Sequence, residues 1–127
     1  MSFSSNRVKS LKFKRAAVAS FVSASGGVGK TKLSLMLAYH LRKSGHRVLF
    51  IDLDPTAGAS LTVFSEEEYD ERMRNRSTLS DALDQYLKGA IVEPRSVIGL
   101  AKVGDALVEF VAPGERLISV VDDLWIE

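Results

Sequence analysis

One stretch constrains this chain more than any other: SASGGVGKT, residues 23–31, which joins a short apolar run to an amphipathic one. Gly26, Gly27 and Gly29 can take positive φ and let backbone approach a ligand closely. Successive N–H groups in such a loop point into one concavity and bind anionic oxygens. A helix that follows adds the positive end of its dipole. The spacing is that of G-x-x-x-x-G-K-[ST], with Ala24 in the first glycine position and Gly29, Lys30 and Thr31 completing it. Lys30 then supplies a point charge for β- and γ-phosphates, and the Thr31 hydroxyl suits Mg²⁺ ligation. The candidate nucleotide-binding residues are Gly26, Gly27, Val28, Gly29, Lys30 and Thr31.

The flanking pattern favours this reading over a glycine turn followed by a chance Lys-Thr. Arg15–Ser23, RAAVASFVS, is apolar and ends in Ser and Gly, as a buried strand does. From Thr31 to Ser44 the period becomes helical, with Leu33, Met36, Leu37 and Leu41 on one apolar face and Gly45 as a stop. His40 within it reads as a surface or packing residue. Arg47–Asp52, RVLFID, reads as a second buried strand. Strand, loop, helix and strand over this length make a βαβ unit, which implies parallel pairing in an α/β fold with both sheet faces covered.

Beyond Asp54 the pattern is less regular. PTAGASLTVF reads as loop plus a short helix, and SEEEYDERMRNRS as a solvated helix face or mobile loop. Thr78 and Asp81 have capping-box spacing ahead of a helix running to Lys88. Residues 90–105 are ambiguous. Leu107–Val111 is expected as a strand, followed by a Pro-Gly turn and a helix over Glu115–Trp125 with Leu117, Val120, Val121 and Leu124 on one side.

A length of 127 residues allows one domain. The net charge of +1 gives no excess that argues for nucleic acid or an anionic membrane. The absence of Cys excludes disulfides and thiolate metal sites and suits a reducing cytoplasm. No apolar run approaches transmembrane length. Residues 1–14 hold Arg7, Lys9, Lys12 and Lys14 without an acid and read as a flexible basic arm, either a solvated tail or a weak phosphate-backbone contact.

The second candidate feature is IDLDPTA, residues 51–57, at the carboxyl end of the second strand, where α/β sheets place their ligands. Alternation puts Asp52 and Asp54 on one side. They could hold Mg²⁺ or its waters and orient an attacking water, or they could cap a loop or helix.

Together SGGVGKTKLSLMLAYHLRKSGHRVLFIDLDPTAGASLT, residues 25–62, resembles the ParA/MinD family of deviant Walker A ATPases, and DLDP brings it nearest to ParA-type partition proteins. Weaker similarity runs through STLSDAL and VEFVAPGERL. The family's fold is a three-layer P-loop NTPase fold with a mostly parallel sheet, and residues 15–127 would be its N-terminal part. The resemblance implies ATP and Mg²⁺ as cofactors. Gly26, Gly27, Gly29, Lys30 and Thr31 would bind phosphates and Mg²⁺, Asp54 would position the hydrolytic water, and Asp52 would lie near the magnesium shell. It also implies a homodimer closed by ATP, a centromere-binding-type adaptor as partner, and DNA binding without sequence preference.

Three departures qualify these expectations. Ser25 stands where the family has its signature Lys, so the charge that reaches across the dimer is missing. Lys32 and Thr56 replace a small hydroxyl residue and a Gln. The family's Walker B strand would follow Trp125, and without it the first strand would expose apolar surface and unpaired backbone. Two functions stay open: a ParA-like partition ATPase with weak or no turnover in this chain, and a non-hydrolysing regulatory or structural nucleotide-binding relative. A MinD-like membrane role ranks below both, because RLISVVDDLWIE is acidic.

Overall fold

The computed structural model describes residues 15–22 and 29–124. The expected basic arm and the Gly26, Gly27 and Val28 part of the glycine loop lie outside the described residues.

Helix α1, Lys30–Lys43, starts at Gly29 and stops where the sequence places a stop. Gly45 takes φ +90°, and its amide donates to Arg42 O at 3.1 Å while that of His46 donates to Leu41 O at 3.0 Å. Such left-handed closure is cheap only for glycine. Strand β1, Leu49–Ile51, follows, then helix α2, Gly58–Val63, and helix α3, Glu66–Arg74. Ser65 caps α3 by accepting the Glu68 amide, and the acidic first turn suits the helix dipole. The capping box of Thr78 and Asp81 opens helix α4, Leu79–Leu87. A 3-10 turn at Pro94–Ser96 leads to strand β2, Gly99–Val103, inside the segment whose sequence is ambiguous. Strand β3, Ala106–Val111, and helix α5, Leu117–Leu124, complete the elements of the described residues.

The α/β expectation is met by a mixed sheet in the order β1-β3-β2. β1 pairs parallel with β3, and β2 pairs antiparallel with it. The parallel pairing therefore joins Leu49–Ile51 to Glu109–Val111 and not to the first apolar run. That run is corrected by the structure: residues 15–22 form no strand and are exposed, with Val18 at 91% and Val22 at 88%. An apolar segment becomes a buried strand only where a sheet edge accepts its backbone, and none of the described strands does so here.

One sheet face is packed. Ala101, Val103, Val108 and Phe110 meet Leu35 and Ala38 of α1 and Ala59 of α2. Phe50 stacks on Phe110 with centroids 4.9 Å apart, and Phe64 meets Phe110 edge-on at 5.3 Å. Each pair adds about 0.5–1.5 kcal/mol beyond burial. The opposite face carries Leu49, Ile51, Leu100 and Leu107, all exposed. The α1 face that packs is Leu35 and Ala38, whereas of the expected stripe Leu33, Met36 and Leu37 are exposed and Leu41 is half-buried. Apolar and polar residues of α1 are interspersed on every side of the helix, so its period does not select the covered side. Among the described residues no helix is long and apolar enough to cross a membrane.

Candidate functional site

Two chain segments meet at the site: the start of α1 and the loop from β1 to α2. Gly29 sits in the left-handed region, φ 82°, and among the described residues no side chain caps the helix it begins. First-turn amides such as those of α1 are the donors that anions take up at helix N-termini. Lys30 and Thr31, both half-buried, occupy that first turn.

The facing loop is held by its own carboxylates. The Asp52 amide donates to Val111 O at 3.0 Å, which extends the parallel ladder one residue past β1. The Asp52 side chain is buried, and its Oδ1 accepts the Asp54 amide at 3.0 Å. Its Oδ2 accepts the Ser60 amide at 3.0 Å and the Ser60 hydroxyl at 2.6 Å. Asp54 stays half-buried at the loop crest, where its Oδ1 accepts the Thr56 amide at 3.0 Å and Thr56 Oγ1 at 2.8 Å. The Thr56 hydroxyl, its amide, the Gly58 amide and the charge of Lys30 together hold the Asp54 carboxyl below the usual carboxylate range, against a smaller opposing effect of burial.

Gly58 lies between the two segments. A Cβ there would stand 3.2 Å from Thr31 Oγ1 and 3.3 Å from Asp54 Oδ2, so the missing side chain leaves the hydroxyl and the carboxylate facing one point. Ala57 precedes it with φ 58°, a left-handed conformation uncommon for a residue with a Cβ. Its methyl packs with Tyr69 and Ala112. Burial pushes the Tyr69 phenol up, and its oxygen accepts the Gly114 amide at 3.1 Å.

The structure therefore brings together Lys30, Thr31 and Asp54 of the sequence-derived set and places Asp52 behind them as a buried support. Gly29 is at the helix cap, and Gly26, Gly27 and Val28 lie outside the described residues. Sequence reasoning missed Gly58 and Ser60. The one signal for Ser60 was a hydroxyl on an otherwise small and apolar helical turn. The donor set fits a nucleotide with its cation: one lysine, one hydroxyl and one ionised carboxylate beside the first-turn amides of a helix.

Comparison with known proteins bears on the family and the fold. The model of a family described as the CobQ/CobB/MinD/ParA nucleotide-binding domain matches residues 19–125. Over 53 residues the chain is 45% identical to a protein of Rhizobium rhizogenes provisionally named replication protein A, a match covering 42% of this chain and 13% of that protein. The crystal structure of protein DIP2308 from Corynebacterium diphtheriae is similar with a TM-score of 0.65 and 25% identity, over 79% of this chain and 38% of that one. The chain spans less than half the length of either relative.

Proposed function

Because the chain belongs to the CobQ/CobB/MinD/ParA nucleotide-binding domain family, we propose that it binds ATP with Mg²⁺ between α1 and the Asp54 loop, as a ParA-like ATPase of plasmid or chromosome partition with weak or no turnover. The observation that carries this reading is the space at Gly58, where Thr31 Oγ1 and Asp54 Oδ2 approach one point with the charge of Lys30 acting on Asp54. Similarity to a protein named for replication supports the partition setting.

In this reading the glycine loop, Gly26, Gly27, Val28 and Gly29, and the first amides of α1 cradle the phosphates. Lys30 places its ammonium against the β- and γ-phosphate oxygens. The Thr31 hydroxyl would hold the cation, while Asp52, buried and committed to the Asp54 and Ser60 donors, supports the loop from behind and not from the cation's shell. When bound, Mg²⁺ supplies neutralisation of phosphate charge. Asp54 is kept ionised by its loop and orients the water for in-line attack on the γ-phosphate. Ser25 brings no charge to a facing subunit, which is the reason for expecting weak turnover. The same reading proposes a homodimer, a centromere-binding-type adaptor and a cytoplasmic setting; the DNA binding that the resemblance implies has no support in this segment, whose net charge is +1.

Calorimetric titration with ATP, with and without Mg²⁺, tests it. Saturable heat that requires Mg²⁺ and disappears in Lys30→Ala is expected. No heat at millimolar nucleotide would leave a structural role alone. A second reading, a nucleotide-binding relative that regulates or assembles without hydrolysis, is favoured by Thr56 occupying Asp54 Oδ1. Phosphate release above background, lost in Lys30→Ala, would exclude it.

A further inference from the structure

We infer that Ser60 is a positioning residue that sets the backbone of Asp54 through the buried carboxylate of Asp52. The inference rests on the reading of Asp54 as the residue that orients water. Asp52 is 4% exposed and Ser60 0% exposed, so neither meets solvent. A buried carboxylate is tolerated when donors meet its lone pairs. Three do so here, and all come from the segment that Asp52 itself organises: the Asp54 amide on Oδ1, and the amide and hydroxyl of Ser60 on Oδ2. Bonds to an ionised acceptor are short and strong, and the Ser60 hydroxyl makes the shortest of the three at 2.6 Å.

The connection reaches further than a loop contact. Ser60 is the third residue of α2, and its amide is one of the donors a helix start leaves unpaired. Ala57, at the cap position, offers no side-chain acceptor, so Asp52 caps α2 from eight residues upstream. The Asp52 amide in turn is fixed to Val111 O in the sheet. Sheet, Asp54 and the first turn of α2 are thereby joined at one carboxylate. That turn begins at Gly58, where Asp54 Oδ2 and Thr31 Oγ1 approach each other. Loss of the Ser60 hydroxyl frees Oδ2 from its shortest bond and lets the carboxylate turn away from the Asp54 amide.

Amide hydrogen exchange by NMR on the nucleotide-free chain tests this, and its outcome is independent of whether ATP binds. Ser60→Ala is expected to raise exchange at the Asp54 amide by about tenfold, with the β3 amide of Val108 unchanged as a monitor of the fold. Asp52→Asn is expected to open the same amide, and adding Ser60→Ala to it is expected to add nothing. Thr62→Ala removes a different hydroxyl bond within α2, to Gly58 O at 2.8 Å, and is expected to leave Asp54 protected. The inference is overturned if Ser60→Ala leaves the Asp54 amide unchanged, if Thr62→Ala opens it equally, or if the effects of Ser60→Ala and Asp52→Asn add.

Discussion

Thr56 Oγ1 donates to Asp54 Oδ1 at 2.8 Å, at a position where ParA-type sequences resembling this one carry Gln. The bond is the largest single cause of the low Asp54 pKa. A carboxyl whose folded pKa is depressed contributes stability that is complete above its unfolded value, near about 3.9, and is lost as pH falls through the folded value. Thr56→Val keeps the side-chain shape and removes the donor. The Asp54 carboxyl is then expected to titrate at higher pH, and the acid-side loss of stability attributable to it to shrink. Carbon-detected NMR titration and thermal melts between neutral and acidic pH measure both. An unmoved Asp54 titration would show that the hydroxyl bond does not tune this carboxyl.

Gly58 separates stability from binding. Its φ is not left-handed, so Ala at this first position of α2 meets no backbone strain and gains helix propensity. The added Cβ would nevertheless sit 3.2 Å from Thr31 Oγ1 and 3.3 Å from Asp54 Oδ2, in the gap assigned to the cation and phosphate. Gly58→Ala is therefore expected to shift the melting temperature by little and to weaken Mg²⁺-dependent ATP binding by about tenfold or more, roughly 1.4 kcal/mol. Calorimetry on the variant reads both. Unchanged affinity would place the nucleotide elsewhere.

How legible these features were depended on how far each signal reaches along the chain. Gly29-Lys30-Thr31 and Gly45 mark both ends of α1, because caps and left-handed stops are local chemistry. The Thr78–Asp81 capping box was readable for the same reason. The first apolar run departs from expectation because composition records only a capacity for burial, and burial also needs a partner edge. The side of α1 that packs is not legible in sequence because Leu33, Leu35, Met36, Leu37 and Ala38 point to different sides, with Ser34, His40 and Arg42 interspersed among them. Within the site, the proximity of Asp54 to Lys30 followed from strand-end logic. The bond from Asp52 to Ser60 spans eight residues between two different elements, and no periodicity announces it.

Gly114 tests the other polar cluster. It holds φ +83°, and a Cβ there would lie 2.3 Å from Ser80 Oγ and 2.5 Å from Thr78 Oγ1. These hydroxyls sit at the start of α4, whose Leu79 and Ser80 amides donate to Ala112 O and Pro113 O at 2.8 and 3.0 Å. A methyl at position 114 meets both a conformational cost of about 1–2 kcal/mol and an overpacking cost of about 1–3 kcal/mol. Gly114→Ala is expected to lower unfolding free energy by about 3 kcal/mol in urea denaturation and to open the Leu79 and Ser80 amides to exchange first. A loss under about 0.5 kcal/mol would mean that the α4 junction yields easily.

The two sheet faces make opposite predictions from two positions of one strand. Phe110 is 0% exposed and contacts both Phe50 and Phe64, whereas Leu107, three residues earlier on the same strand, is 56% exposed. Phe110→Ala leaves a cavity where two ring contacts converge and is expected to cost about 3–5 kcal/mol. Leu107→Thr keeps strand propensity, removes apolar surface that already meets solvent, and is expected to stay within about 0.5 kcal/mol of the unaltered chain. Because Leu49, Ile51 and Leu100 share the open face, Leu107→Thr is also expected to reduce binding of an apolar dye. Urea unfolding and dye fluorescence on the two variants decide the matter. A cost above about 2 kcal/mol for Leu107→Thr would mean that this face is covered in solution.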